Sequence, residues 1–144
     1  MIRALMMSAL VLLAPQAGTR SAMIAEVVRT GSVIVAGVTF EDRAAEPTAS
    51  SELALGELRA VLLDHAEWTF EVQVHTDEGG TPEADGALSA TRAGAIVRWL
   101  NSRGIAADRL VARGYGSSRP LRSAPAADPA LQHRRVELRK LNEE

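Results

Sequence analysis

A chain of 144 residues with 47% hydrophobic side chains is long enough for one domain with a real core, short for two, and unlike a disordered protein in composition. Only 3% of the residues are aromatic, so the core has to be built from Ala, Val, Leu and Ile. A net charge of -2 argues against a protein whose main task is holding nucleic acid, and the absence of cysteine excludes disulfides, thiolate chemistry, cysteine metal sites and lipid attachment through Cys.

The charge is unevenly spread. Residues 1–90 carry 5 basic and 13 acidic side chains, whereas 91–144 carry 11 and 5, so the two halves attract each other or present faces of opposite sign. At the amino terminus, Arg3, an apolar run over 4–14, Pro15 and small residues resemble a secretory signal peptide over 1–22. That run is shorter than the roughly 20 residues a membrane span needs, so no transmembrane anchor is expected.

The β-branched stretch over 32–40 predicts a first strand, bulged or interrupted at Gly37. Leu55, Leu58 and Leu62 repeat at helical spacing over 51–66 and form a core stripe. Phe70, Val72 and Val74 then alternate with Glu71, Gln73 and His75, the pattern of a half-buried strand. Gly79, Gly80, Pro82, Asp85 and Gly86 predict a loop over 77–86. Ser89 is the expected N-cap of the next helix, with Leu88 stapled onto Ala93 and Ile96, Val97 and Leu100 forming the apolar stripe up to Gly104. This puts Arg92 in a first turn, facing Asp77 at the end of the strand. Residues 110–113 predict a third strand ending at Gly114-Tyr115-Gly116, and 117–129 a loop or a flexible hairpin. The alternation over 134–141 predicts a last strand with one wet face, whose charges suit a sheet edge. Strands alternating with helices imply one domain over 32–141, an α/β (α+β) sandwich with helices on one side of a mixed sheet.

His75-Thr76-Asp77, Leu88-Ser89, Arg92-Ala93, Gly104-Ile105, Arg109, Gly114-Tyr115-Gly116, Pro120 and Arg134-Arg135-Val136-Glu137 together resemble the OmpA-like carboxy-terminal domain family, which includes peptidoglycan-associated lipoproteins and flagellar stator proteins. The resemblance covers about 33–140. It implies a βαβαβ fold, a place in the periplasm or cell envelope, and non-covalent, non-enzymatic binding of peptidoglycan through the diaminopimelate of the stem peptide. It also implies contacts with other envelope proteins and no cofactor. The implied ligand positions are Asp77 and Arg92, with Thr76, His75, Phe40, Glu41, Asp85, Leu88 and Arg135 around them. Several residues depart from the family pattern: Val74 where Gly usually precedes His-Thr-Asp, Asp85 and His133 where Asn is typical, Glu41 in place of Asp, and no lipobox cysteine. The extra carboxylate at Asp85 either tightens the ammonium end of the pocket or competes with Asp77 for Arg92. The alternative function is a degenerate interaction domain that kept the fold and lost the wall site.

The residue chemistry supports the same pocket. Diaminopimelate ends in an ammonium and a carboxylate on one carbon, so its receptor needs one anion and one cation a few ångströms apart. Asp77 and Arg92 have those charges, and an arginine grips a carboxylate bidentately. The loop after the strand carries no nucleophile with a positioned base, which argues against an enzyme. His65, His75 and His133 have no metal-ligand spacing, and His75 is read as an orienting hydrogen-bond donor.

Overall fold

The computed structural model describes residues 20–76, 80–119 and 134–142. A four-stranded mixed sheet is covered on one face by helices. Its elements in chain order are α1 (Arg20–Thr30), β1 (Ser32–Ile34), a short 3-10 turn (Ala49–Ser51), α2 (Glu52–Asp64), β2 (Phe70–His75), α3 (Pro82–Asn101), a second 3-10 turn (Ala107–Arg109), β3 (Leu110–Gly116) and β4 (Arg135–Lys140). The strand order is β1-β4-β2-β3. β2 runs parallel to β3 and antiparallel to β4, with His75 opposite Arg135 and Phe70 opposite Lys140. Among the described residues no helix is long and apolar enough to cross a membrane.

The period-2 pattern of β2 sorts its side chains onto two faces as the sequence predicts, but the strand is not half-buried: Gln73 and His75 on the polar face are buried as well. Phe70, Val72 and Val74 join Val33, Val136 and Leu138 in a core closed by Leu55, Leu58, Leu62, Ile96 and Leu100. Glu71, Gln73 and His75 lie on the other face. β4 is not at an edge as its charges suggested; it pairs with both β1 and β2. Those charges serve the helix-free face instead, where Arg135 Nε meets Glu137 Oε1 at 3.1 Å and Arg113 Nε meets Glu71 Oε2 at 3.3 Å.

Other boundaries moved. The first strand stops at Ile34 rather than Phe40: Gly37 adopts φ +89, and Phe40 forms only an isolated bridge to Pro47. Helix α1 has no counterpart in the sequence reading. It buries only Met23 and Val27, an i, i+4 pair too sparse to define a period, and has no acid in its first turn. The predicted leader lies outside the described residues except for 20–22, which open this helix.

The largest revision is α3. It starts at Pro82, capped by Thr81, whose Oγ1 accepts from Ala84 N at 3.1 Å, and it carries Glu83 and Asp85 in its first turn. Threonine, proline and acid in this order are an N-terminal signal that the surrounding glycines obscured. Ser89 is therefore not an N-cap. It is fully buried inside the helix, where its hydroxyl donates to Gly86 O (2.9 Å) and accepts from Gly116 N (2.8 Å), fastening α3 to the end of β3. Leu88 and Ala93 are not a staple; both belong to the body of the helix. Ser89→Ala strands the buried Gly116 N–H and is expected to lower stability by about 1–3 kcal/mol, read as a shift in urea midpoint with unchanged slope.

β3 continues through Gly114-Tyr115-Gly116 instead of ending before it, because α3 lies directly on these glycines. A Cβ at Gly114 would stand 2.1 Å from Ala90 N, and Gly116 adopts φ +56. Gly104 ends the run after α3 in the left-handed conformation expected of it, at φ +98. The predicted loop over 117–129 and the positions Pro120 and His133 lie outside the described residues beyond 119.

Candidate functional site: an arginine-lined cleft at the end of the sheet

A cleft of about 230 Å³ opens where β2 ends and β4 begins. Phe40, His75, Thr76, Arg92, Arg134 and Arg135 are among its lining residues, so five of the nine sequence-predicted positions meet here. A larger groove of about 650 Å³, between α1 and the far end of β4, contains none of them.

Arg92 is the floor of the cleft and is only 3% exposed. It lies in the third turn of α3 rather than the first, so no open helix start stands beside it. Its Nε donates to Ala44 O (2.7 Å), Nη1 to Thr76 Oγ1 (2.8 Å) and Nη2 to Glu41 O (3.1 Å), while the guanidinium stacks over the Phe40 ring at 4.6 Å. One cation thus ties the end of β2 to the turn that Ala44 N and Glu41 O close at 2.9 Å. That turn contains Arg43 at φ 60, a left-handed conformation unfavourable for a side-chain-bearing residue. At least three of the five N–H groups of Arg92 are committed to these contacts, so the expected bidentate grip on a ligand is not preformed around an uncommitted guanidinium.

Glu41 contributes through its main-chain carbonyl; its side chain is exposed. Asp85 is buried in the first turn of α3 at 4% exposure, packed near Gly80, and does not line the cleft. Leu88 is half-buried on α3 and does not line it either. Asp77, the proposed anion, lies outside the described residues. Sequence reasoning missed Ala44, whose contribution is a carbonyl oxygen that no side-chain pattern signals. It also chose Arg135 alone where Arg134 lines the cleft too.

Arg135 is 9% exposed; besides Glu137 it reaches Arg119 O through Nη2 at 3.0 Å. With Arg92 and Arg134 it makes the described lining strongly cationic. On the adjoining sheet face Glu71 is partly buried, which opposes ionisation, yet hydrogen bonds from Gln73 and Tyr115 and the charge of Arg113 hold its carboxyl below the usual range. His75 is pulled the other way for a base: burial first, then Arg135 and Arg119, lower its pKa from 6.5 to about 4. Its ring stacks on Tyr115 at 5.3 Å.

That shift has a sign for folding. Between pH 6.5 and 4 the unfolded chain takes up a proton on this imidazole that the folded chain refuses, so stability falls as the pH drops through that window and is unaffected by His75 above it. The loss at pH 4 relative to pH 7 is expected to be roughly 3 kcal/mol. Denaturant titrations at both pH values check it, with His75→Phe expected to lack this component. Among the described residues no cluster of three or more His, Cys, Asp or Glu is arranged to hold a metal ion.

A mixed sheet with helices on one face and a small cationic cleft at the ends of its central strands defines an α+β domain with one candidate ligand site at the sheet's end. The model of the OmpA family matches residues 39–134, and the chain belongs to that family. It is 41% identical over 66 residues to the peptidoglycan-associated lipoprotein of Pseudomonas aeruginosa, covering 46% of this chain and 39% of that protein. To its namesake from Mesorhizobium japonicum it is 32% identical over 84 residues, covering 58% and 50%. A match at 34% identity over 93 residues to the Photosystem I P700 chlorophyll a apoprotein A2 of Gloeobacter violaceus covers 59% of this chain and only 10% of that protein, and carries no functional argument. The chain thus spans half or less of the length of these relatives. In fold alone it is similar to the peptidoglycan-associated lipoprotein from Burkholderia pseudomallei, at TM-score 0.61 and 24% identity, covering 79% of this chain and 92% of that one. A MotB-like protein from Desulfovibrio vulgaris aligns at TM-score 0.63 and 24% identity, covering 78% and 72%.

Proposed function

We propose that the cleft holds the stem peptide of peptidoglycan non-covalently through its diaminopimelate residue, in the periplasm, after removal of the leader over 1–22. The observation that carries this reading is the position of Arg92, buried at the cleft floor and hydrogen-bonded to Thr76, the residue next to Asp77. Asp77 takes the ammonium and the arginine group the carboxylate. The relatives' printed name, peptidoglycan-associated lipoprotein, supports the same ligand.

Charge-assisted hydrogen bonds contribute about 1.5–3 kcal/mol each, against roughly 0–1 for an exposed ion pair, so a half-enclosed cationic cleft suffices for modest affinity. The wall repeats its ligand many times, and rebinding at neighbouring copies extends retention. Other envelope proteins then meet the domain while it is held on the wall.

A second reading follows from one observation: Arg92 already donates to two loop carbonyls and Thr76, a set of bonds that suits a purely structural clamp in a domain that binds proteins alone. Co-sedimentation with purified sacculi separates the two. Wall binding predicts retention on diaminopimelate-type sacculi, loss in Asp77→Ala, poor retention on lysine-type walls and no release of soluble muropeptides. Equal pelleting with both wall types, or retention by Asp77→Ala, refutes the pocket.

A further inference from the structure

β4 connects the two ends of the sheet. It starts at Arg135, which lines the cleft, and ends at Lys140, which lines the larger groove of about 650 Å³. At about 3.3 Å per residue the strand sets the two places roughly 17 Å apart. Arg29, Arg139 and Lys140 bring three cations to the groove, beside Trp68 and Asn142. The nearby acids are already engaged. Glu137, the acid of the described lining, is held by Arg135 Nε at 3.1 Å, and Arg29 Nη2 is paired with Glu26 at 2.7 Å. Among the described residues no acid pairs with Arg139 or Lys140. Lys140 Nζ lies 5.4 Å from the centre of the buried Trp68 ring, so an aromatic face holds its ammonium at the groove and leaves the positive charge in place.

We propose that this groove is a second wall contact, an anion site that takes a free carboxylate of a neighbouring stem peptide while the cleft holds diaminopimelate. The proposal rests on the wall-binding reading above and extends it from one ligand to two points on the same polymer. Arg139 offers a planar fork that fits a carboxylate, and Lys140 a point charge on the next residue. Each contact is exposed to solvent and weak alone. Once the polymer is held at the cleft, its next carboxylate meets the groove at a high effective concentration, so even a weak site lengthens retention. A soluble tripeptide, at most about 11 Å long, cannot span both places and gains nothing from the groove. Glu143 and Glu144 follow Asn142 in sequence, and their charges oppose an incoming anion.

The test is sedimentation of the full chain with purified diaminopimelate-type sacculi over a range of salt, beside calorimetric titration with a tripeptide ending in meso-diaminopimelate. Arg139→Gln combined with Lys140→Gln removes both charges and keeps polar side chains. The expected result is about fivefold weaker retention on sacculi, a shallower dependence on salt, and unchanged affinity for the tripeptide. Glu143→Gln combined with Glu144→Gln is expected to strengthen retention at low salt. Wild-type retention by the Arg139 and Lys140 double variant at every salt concentration overturns the groove's role and leaves the wall reading standing. If that variant also stops pelleting with phosphatidylglycerol vesicles, the groove's anion is a lipid phosphate instead. An equal loss of affinity for sacculi and tripeptide overturns the second site too, because the effect then passes through the cleft. Failure of the wild-type chain to bind either wall ligand overturns both readings.

Discussion

Gly114→Ala is expected to unfold much of the population or to cost about 3 kcal/mol or more, out of the roughly 5–15 kcal/mol that holds a domain together. The added methyl would stand 2.1 Å from Ala90 N, 2.5 Å from Ala90 Cα and 2.6 Å from Ser89 C. These are main-chain atoms in the middle of a helix, with no rotamer to turn away. Relief requires α3 to lift from β3, breaking the Ser89 to Gly116 hydrogen bond and carrying Arg92 out of the cleft. Gly56→Ala is the matched control. It lies in α2, where nothing comes within 4 Å of the added carbon, and it is expected to stabilise by about 0.5–1 kcal/mol. Urea unfolding of the two variants should therefore move in opposite directions; equal small changes would disprove the close contact between α3 and β3.

Arg92→Ala carries the second large effect. It removes at least three hydrogen bonds and the stack on Phe40 in one step, so the 41–44 turn loses the group that faces both of its terminal carbonyls. The expected loss of stability is about 2–3 kcal/mol, since the exposed turn recovers part of its bonding from water. The expected loss of sacculus retention is at least hundredfold, because the cleft loses both a charge and the residue that shapes its wall. Arg92→Lys is expected to fail almost as badly: a single ammonium cannot meet acceptors spread over a planar fork. Sedimentation of folded Arg92→Lys with sacculi at wild-type levels would show that the fork geometry does not matter.

The two central strands of the fold could be read from sequence for different reasons and with different success. β2 declared its buried face through strict alternation of Phe70, Val72 and Val74. β4 declared the same alternation through Val136 and Leu138, but its charges suit a sheet edge equally well, and only the pairing with β1 and β2 shows that they form an ion-paired face in mid-sheet. The start of α3 was hidden because Gly79, Gly80 and Gly86 look like loop residues, whereas Thr81 and Pro82 are what nucleates the helix. In the site, side chains with a chemical signature were found: Arg92, Thr76, His75, Phe40 and Arg135 all line the cleft. Asp85 and Leu88, which the family resemblance implies, sit on α3 outside the described lining. The carbonyls of Glu41 and Ala44 had no sequence signal, since every residue has one.

The most direct test of the wall-binding account is calorimetric titration of the wild-type chain with two stem tripeptides that differ only in their last residue, meso-diaminopimelate or lysine. Lysine keeps the side-chain ammonium and lacks the carboxylate beside it. The account predicts saturable one-to-one binding of the diaminopimelate peptide and at least about tenfold weaker binding of the lysine peptide, the loss of one charge-assisted contact to the arginine group. Equal affinity for the two, or no binding of either, would contradict it.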